Sequence, residues 1–598
     1  MVNKTAVAIA VIVIIVVGAI AGYYLFMMPK PIEYETLFTR AEPAVIVTDL
    51  DPSTQFSNEI VIICGNMYET LTWVEPDGDV VGVLAKDWSF SDDGLTWNFT
   101  LRQGVKFHDG TLMNSTAVKL SIDRTFRIFD TTGTGAGYIW YGVTITTFDD
   151  DPYLVQFNLE WPMPLDRIVA ASYAAWVFSP KVFDVGDDDA INEWLNGPPP
   201  GGIFAGDPPY DVGTGPYYLD EWDPGSHAIL KKFDDYWGGW EEGPYYETIY
   251  TAYIEEVATR KEGILGEEYD FTYLLAKEDL ASIDASPVAD VVDIPSFQNL
   301  LGLFNTKKWP TNITLVRQAL AYATPYQRIV DDVLVGYGVQ ARGPIPTGLF
   351  GHIDDLFQYT QNITKAQELF AQAGIDPNGL DLLLTYHAPD PDEAKVAEIM
   401  KLEFEGKLGI DLEVRAMEWD AQWDLAGVGA AEPPTEAQHI FVFYWWPTIL
   451  SGYDFLFPMF HSEPEIFFNL CYYNNATFDD LIDTAYSLEV TDPTTSLQKY
   501  EQAQEMLIDD CPSIFFYDLK NTHVIREAIE GYVDNPAYPH VVLYRELTPP
   551  VEEKTSSFMA DTDSLIPCFY LMIMMMTYLV KRRWDYSPTR RRDLSYQP

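Results

Sequence analysis

The sequence predicts an α/β protein of several lobes, and three observations predict it. Its 598 residues, 47% of them hydrophobic, can bury more than one core, and chains of this length divide. Residues 80–101 and 217–233 read as short strands separated by Asx, proline and glycine turns, which gives β-rich packing. Residues 364–416 instead alternate helices (364–373 and 392–408) with strands (382–386 and 411–416), the pattern of a largely parallel sheet.

In chain order, residues 6–28 come first. They are almost wholly apolar, a run of about 23 that can span a bilayer as a helix, and Lys4 before them favours a cytoplasmic N-terminus. Ala19-Ile20-Ala21 equally suits the cleavage site of a secretory signal, so anchor and signal both stand. Residues 565–580 form a second apolar run, followed by Lys581-Arg582-Arg583 and Arg590-Arg591-Arg592. The basic flank favours a C-terminal transmembrane anchor over a short buried helix, with the large middle of the chain outside. N-x-[ST] sequons at Asn3, Asn98, Asn114, Asn312, Asn362 and Asn475 agree with an exported surface protein.

Composition excludes several functions. Lys+Arg 37 against Asp+Glu 90 gives a net charge of −53, a field that repels nucleic acid and anionic lipid. Aromatic residues at 14% supply a cleft that recognises ligands by stacking and apolar contact. Cys64, Cys471, Cys511 and Cys568 lack zinc-site spacing, so no metal and no cofactor is implied; a Cys471–Cys511 bridge is open to the chain in an oxidising compartment. G-x-x-x-x-G-K-[ST], G-x-S-x-G and H-E-x-x-H are all absent, and the chain does not read as an enzyme.

Within the middle, residues 45–48 read as a strand and residues 60–71 as an apolar helix. The strands over 80–101 are broken at Ser91-Asp92-Asp93-Gly94, and a helix follows over 114–127. His108-Asp109-Gly110 has the residue types of a catalytic pair but the context of a loop ending a strand. Residues 187–209, rich in Gly, Pro and Asp, read as a surface insertion. At Val212-Gly213-Thr214-Gly215-Pro216-Tyr217 the chain must bend: both glycines can take positive φ at no steric cost, and Pro216 restricts Gly215. Asp223-Pro224-Gly225 is a second turn, so residues 217–222 and 228–233 form a hairpin that finishes at Tyr236-Trp237-Gly238-Gly239. A strand over 248–254 and helices over 257–265 and 315–323 come next, the last interrupted at Pro325. A helix over 496–509 and a buried strand over 512–517 complete the reading.

The G-T-G-P-Y, W-x-P-G and Y-W-G-G series resembles the signature of the family 5 extracellular solute-binding proteins, the dipeptide, oligopeptide and nickel receptors of ABC importers. Met67-Tyr68-Glu69-Thr70-Leu71, Leu84-Ala85-Lys86-Asp87-Trp88 and Leu101-Arg102-Gln103-Gly104-Val105-Lys106-Phe107-His108-Asp109-Gly110 resemble the family's most diagnostic block, and the likeness runs in order over about residues 40–545. It implies a two-lobed periplasmic-binding-protein-like fold, type II, of the large cluster with an extra subdomain. Lobe I would take residues 31–275, with an inserted subdomain over about 65–210, lobe II residues 276–510, and residues 511–550 would return to lobe I. Outside these lie residues 1–30 as anchor or signal, 551–564 as linker, 565–580 as the transmembrane helix and 581–598 as a basic tail.

The function so implied is an extracytoplasmic receptor that closes on an oligopeptide or similar solute and delivers it to permease and ATPase subunits. A sugar or other neutral solute is the alternative ligand, and a surface structural or adhesion protein the alternative role. In the family's peptide receptors a W-x-x-D-Y-x-D-P segment lines the cleft and its first Asp pairs with the peptide's ammonium. Trp445 falls on the family Trp and Thr448 on that Asp, which leaves a neutral hydroxyl where a carboxylate is usual. Trp446 and Asp454 in the same segment, with Tyr68, Gln298 and Arg342, complete the candidate ligand contacts.

Overall fold

A computed structural model describes residues 36–550 apart from residues 44–49, 55–57, 134, 172–173, 197–211, 242, 389 and 463–467. The strand expected over 45–48, most of the 187–209 insertion and both terminal apolar runs lie outside the described residues. Among those described, no helix is long and apolar enough to cross a membrane.

Two long strands organise the molecule. Ala289–Phe304 and Ser513–Arg526 run antiparallel over most of their length. At one end they join Phe271–Tyr273, Leu37–Glu42, Thr248–Tyr253, His227–Lys232 and Tyr217–Asp223; at the other they join Ile440–Trp445, Asp381–His387 and Asp411–Met417. Each long strand therefore belongs to both lobes, and the lobes share one sheet. The pairing slips between Pro295 and Asn299, where Pro295 lacks the N–H a ladder needs. The irregularity interrupts the ladder where the strand passes between the lobes, the position a hinge would take.

The lobe II sheet is mixed, which corrects the expectation of a largely parallel one. Asp381–His387 is parallel to both Asp411–Met417 and Ile440–Trp445, as helical crossovers require. Ile440–Trp445 meets Ala289–Phe304 antiparallel, because the incoming long strand enters from the other lobe. Packed on this sheet are helices Thr314–Ala323, Ile363–Ala373 and Pro391–Leu408. The helix break expected at Pro325 is present: one helix ends at Ala323 and the next begins at Tyr326.

Lobe I carries a second, four-stranded antiparallel sheet, Ala85–Phe90, Thr96–Leu101, Asp151–Leu159 and Val143–Phe148. Helix Ser115–Thr132 packs against it. Asn114 caps that helix by accepting from the Ala117 N–H, and Arg124 reaches from its buried face to both carboxylate oxygens of Asp51 at 2.6 Å. Asn362 and Asn475 cap two further helices in the same way. Three of the sequons thus have a structural reason, since Asn is among the best N-cap residues. Residues 187–209 are not wholly turn-like, because Asp188–Asn196 is helical.

The signature stretches of lobe I meet in space. Helix Asn58–Cys64 stops well short of the expected Leu71, and the chain after it runs alongside residues 212–217. The Gly215 N–H donates to the Met67 carbonyl at 2.9 Å and the Tyr217 N–H to the Asn66 carbonyl at 3.1 Å. Neither Gly213 nor Gly215 has positive φ. What they provide is room: a Cβ on Gly213 would lie 1.9 Å from the Met67 oxygen, and one on Gly215 2.3 Å from that of Asn66. Buried Glu69 then accepts from the Tyr236 hydroxyl and the Trp237 indole N–H, each at 2.8 Å. Burial pushes its carboxyl up, and those two hydrogen bonds oppose the shift. Arg102 lies over the Trp237 ring at 4.6 Å. Tyr236→Phe leaves one Glu69 oxygen without its donor and is expected to cost about 1–3 kcal/mol, read as a lowered urea midpoint at unchanged slope.

His108 belongs to this seam as well: its Nε2 lies 2.8 Å from the Gly215 oxygen, as a loop residue and not as half of a catalytic pair. The Cys471–Cys511 bridge is not formed; Cys471 and Cys511 are free, buried thiols, and Cys64 is buried as well. Cys511 sits at the C-terminal end of helix Pro493–Asp510 with φ 49°, while Cys471 is held in the lobe II core by Asn469.

Candidate ligand-binding cleft

Residues 445–454 leave the end of strand Ile440–Trp445 and fold back before helix Tyr453–Phe460. Asp454 braces this loop from inside. One of its oxygens accepts from the Thr448 N–H and, at 3.4 Å, from the Ile449 N–H, and its carbonyl accepts from the Trp445 indole at 2.8 Å. Burial pushes the Asp454 carboxyl up to about 7, although both N–H bonds pull it down. That oxygen is committed to the loop backbone.

The loop is seated on the opposite lobe. The Thr448 hydroxyl accepts from the Tyr138 hydroxyl at 2.7 Å, and Tyr138 belongs to the short helix Gly137–Trp140 of lobe I. Ile449 is buried in the lobe I core, with Trp446, Leu450 and Tyr453 half-buried against it. A second polar contact between lobes lies nearby. Glu489 accepts from Ser451 and Tyr500, each at 2.5 Å, through one oxygen, and its other oxygen lies 3.6 Å from Arg167. Burial raises the Glu489 carboxyl to about 7, with the two hydroxyls and Arg167 acting the other way. Lys277 pairs with Asp392, and Lys395 with Glu278 at 3.0 Å, tying helix Lys277–Asp284 to helix Pro391–Leu408.

Between the lobes, beside the hinge, lies a cavity of about 530 Å³, within the range of small-ligand sites. Val74 and Arg167 line it from lobe I, Phe297 from the hinge bulge, and Thr347, Phe350 and Leu450 from lobe II. The 344–352 loop is fastened to the long strands: the Asn299 amide donates to the Pro344 carbonyl at 2.7 Å, and the Thr347 N–H to Asp518 at 3.3 Å. Asp518 is buried, its carboxyl raised to about 7 by desolvation against the Thr347 bonds. A change in hinge angle must therefore move the cavity wall.

The seven candidate contacts are distributed unevenly around this cavity, and none of them lines it. Trp445, Trp446, Thr448 and Asp454 form the adjoining loop. Gln298 follows the lining residue Phe297, with its N–H on the Ser296 hydroxyl at 3.2 Å. Arg342 donates to the Leu356 carbonyl at 3.1 Å within lobe II. Tyr68 is packed in the lobe I core, 1% exposed and 6.3 Å from the Trp176 ring. Sequence reasoning missed the lining residues, Arg167 among them. A signal was present, since Arg167 is the one basic residue between Arg127 and Lys181 and precedes an apolar run.

Comparison with known proteins follows the same lines. The family model for bacterial extracellular solute-binding proteins, family 5 middle, matches residues 79–466. A probable D,D-dipeptide-binding periplasmic protein, DdpA of Escherichia coli K12, is 28% identical over 499 residues, which cover 82% of this chain and 90% of that protein. The glutathione-binding protein GsiB of Salmonella typhi is 28% identical over 476 residues, 78% of this chain and 86% of its own. Among solved structures, DppA of Helicobacter pylori in complex with the peptide STSA superposes with a TM-score of 0.70 at 22% identity, covering 86% of this chain and 98% of that one. CtaP of Listeria monocytogenes superposes at 0.73 and 17% identity, covering 86% and 99%. At these identities the structures establish the two-domain α/β fold.

Proposed function

Because this chain belongs to the bacterial extracellular solute-binding proteins of family 5, we propose that it is the extracytoplasmic receptor of an ABC importer and that its solute is a short peptide held between the lobes. The observation that carries this is the cavity at the hinge, walled by both lobes. Small displacements of the two long strands change its shape, and a ligand that touches both walls favours the closed form by its differential affinity for it. D,D-dipeptides and glutathione, named for the two relatives that are 28% identical, support a peptide-class solute. Closure would present a joined two-lobe surface to the permease, whose ATPase partners supply the energy for transport.

Within this reading the loop of Trp445, Trp446 and Thr448 contributes to recognition as the clasp between lobes, with Trp446 half-buried against lobe I. Native mass spectrometry of gently purified protein, followed by denaturation, tests the assignment. Release of short peptides is the expected result. Release of a neutral sugar would retain the importer role and discard the peptide.

A further inference from the structure

Arg167 stands on the short helix Leu165–Ile168, whose two end residues are buried, so its side chain is held at the lobe junction. The guanidinium borders the cavity, lies over the Phe350 ring with its centre 5.3 Å from the centroid, and is 3.6 Å from Glu489. That last separation is an ion-pair distance but too long for a hydrogen bond. Among the described residues its five N–H donors thus have no acceptor within bonding distance, and the Phe350 face supports the guanidinium from one side. Glu489 is committed elsewhere: one oxygen holds Ser451 and Tyr500.

The cavity lining favours an anion at this point, although the carboxyls of Asp166 and Glu489 both lie near Arg167. Among the described residues Arg167 is the only Lys or Arg lining the cavity; the lining acid, Asp354, is 97% exposed at the rim beside His352. At the loop where an ammonium would need a carboxylate, the Thr448 hydroxyl faces Tyr138 and Asp454 faces the loop's own N–H groups. The net charge of −53 repels an anion at long range, but that field is screened over about 8 Å in physiological salt. A local cation with an open fork decides the contact. Burial lifts the Glu489 carboxyl towards neutrality, which weakens its competition for Arg167.

We propose that Arg167 is a specificity-determining residue of the cleft and takes a carboxylate of the solute through a two-pronged hydrogen-bonded pair. The inference rests on the cleft being the solute site. It makes the recognised chemistry a carboxylate, either the C-terminus of a short peptide or a free organic acid, and does not require a free ammonium.

The test uses the full-length protein, a random tripeptide library, the same library amidated at its C-termini, and glutarate as a peptide-free carboxylate, all read by native mass spectrometry and calorimetry. Wild type is expected to bind the acid library at least tenfold tighter than the amidated one. Arg167→Met should remove this preference, the acid library binding no more tightly than the amidated one. Arg167→Lys should restore part of the preference. Binding of glutarate alone, lost in Arg167→Met, would keep the carboxylate assignment and discard the peptide. Equal binding of acid and amide by wild type, or an acid preference surviving in Arg167→Met, would overturn the inference with the peptide reading intact. Absence of binding by every carboxylate would overturn it together with the cleft reading.

Discussion

Gly213→Ala lowers stability by about 3 kcal/mol or more, whereas Gly225→Ala lowers it by about 1 kcal/mol. These are the expected results at two glycines of the same signature region, and they differ because the two residues are glycine for different reasons. At Gly225, φ is 78° and nothing lies within 4 Å of an added Cβ, so alanine meets only the backbone penalty of a left-handed conformation. At Gly213 an added Cβ would lie 1.9 Å from the Met67 oxygen and 2.7 Å from its carbonyl carbon. The strip cannot back away. The Gly213 carbonyl accepts from the His108 N–H at 2.8 Å, the Val212 carbonyl from the Ser179 N–H at 2.9 Å, and the Gly215 N–H donates to Met67. Relief of the clash has to break part of this seam, which joins three separate stretches of lobe I. Urea unfolding of both variants checks the contrast, and a Gly213→Ala midpoint equal to that of wild type would sink the close-approach account.

These glycines mark the limit of what the sequence made legible. Local grammar was readable: the hairpin at Tyr217–Asp223 and His227–Lys232, the Asn114-capped helix and the stop at Pro325 all stand close to where periodicity and turn chemistry put them. The order of motifs carried the two-lobed fold. What could not be read were the partners of each motif in space. Turn chemistry explained Gly213 and Gly215 by φ, yet their requirement comes from Asn66 and Met67, far away in the chain. The same gap separates Arg167 from Glu489 and Tyr138 from Thr448. Residue pairs some 300 positions apart leave no periodic trace, so the cavity's cation was passed over while the loop that clasps the lobes was found. Asp454 shows the related failure: its presence was visible, but whether its oxygens faced a ligand or the loop backbone depended on the fold of residues 448–449.

Stability in urea falls as pH rises from about 5 to 8, by a total of about 3–6 kcal/mol once relaxation of the buried sites is allowed for. Four buried carboxyls contribute most to this slope: Asp454, Glu489 and Asp518, each raised to about 7, and Glu393, raised to about 8, with desolvation the largest cause in every case; the imidazoles of His439 and His540, which burial pushes down, oppose it at its acid end. The ordinary carboxyl values lie near 4, so between about pH 4 and pH 7–8 the folded protein holds protons that the unfolded chain has released. Where the native state binds more protons, stability declines with rising pH. Each carboxyl contribution is fully present below the unfolded value and is lost as pH climbs through the folded one. The net charge of −53 pushes in the same direction through self-repulsion, and measurement in about 0.5 M salt removes most of that part. Glu489→Gln, neutral at every pH and still able to accept from Ser451 and Tyr500, should flatten the slope that remains. A midpoint that rises over this range in high salt would mean that the buried carboxyls are stabilised as anions by their donors. Two of the four touch residues that line the cavity, Glu489 through Arg167 and Asp518 through Thr347, so the same titration bears on the cavity walls.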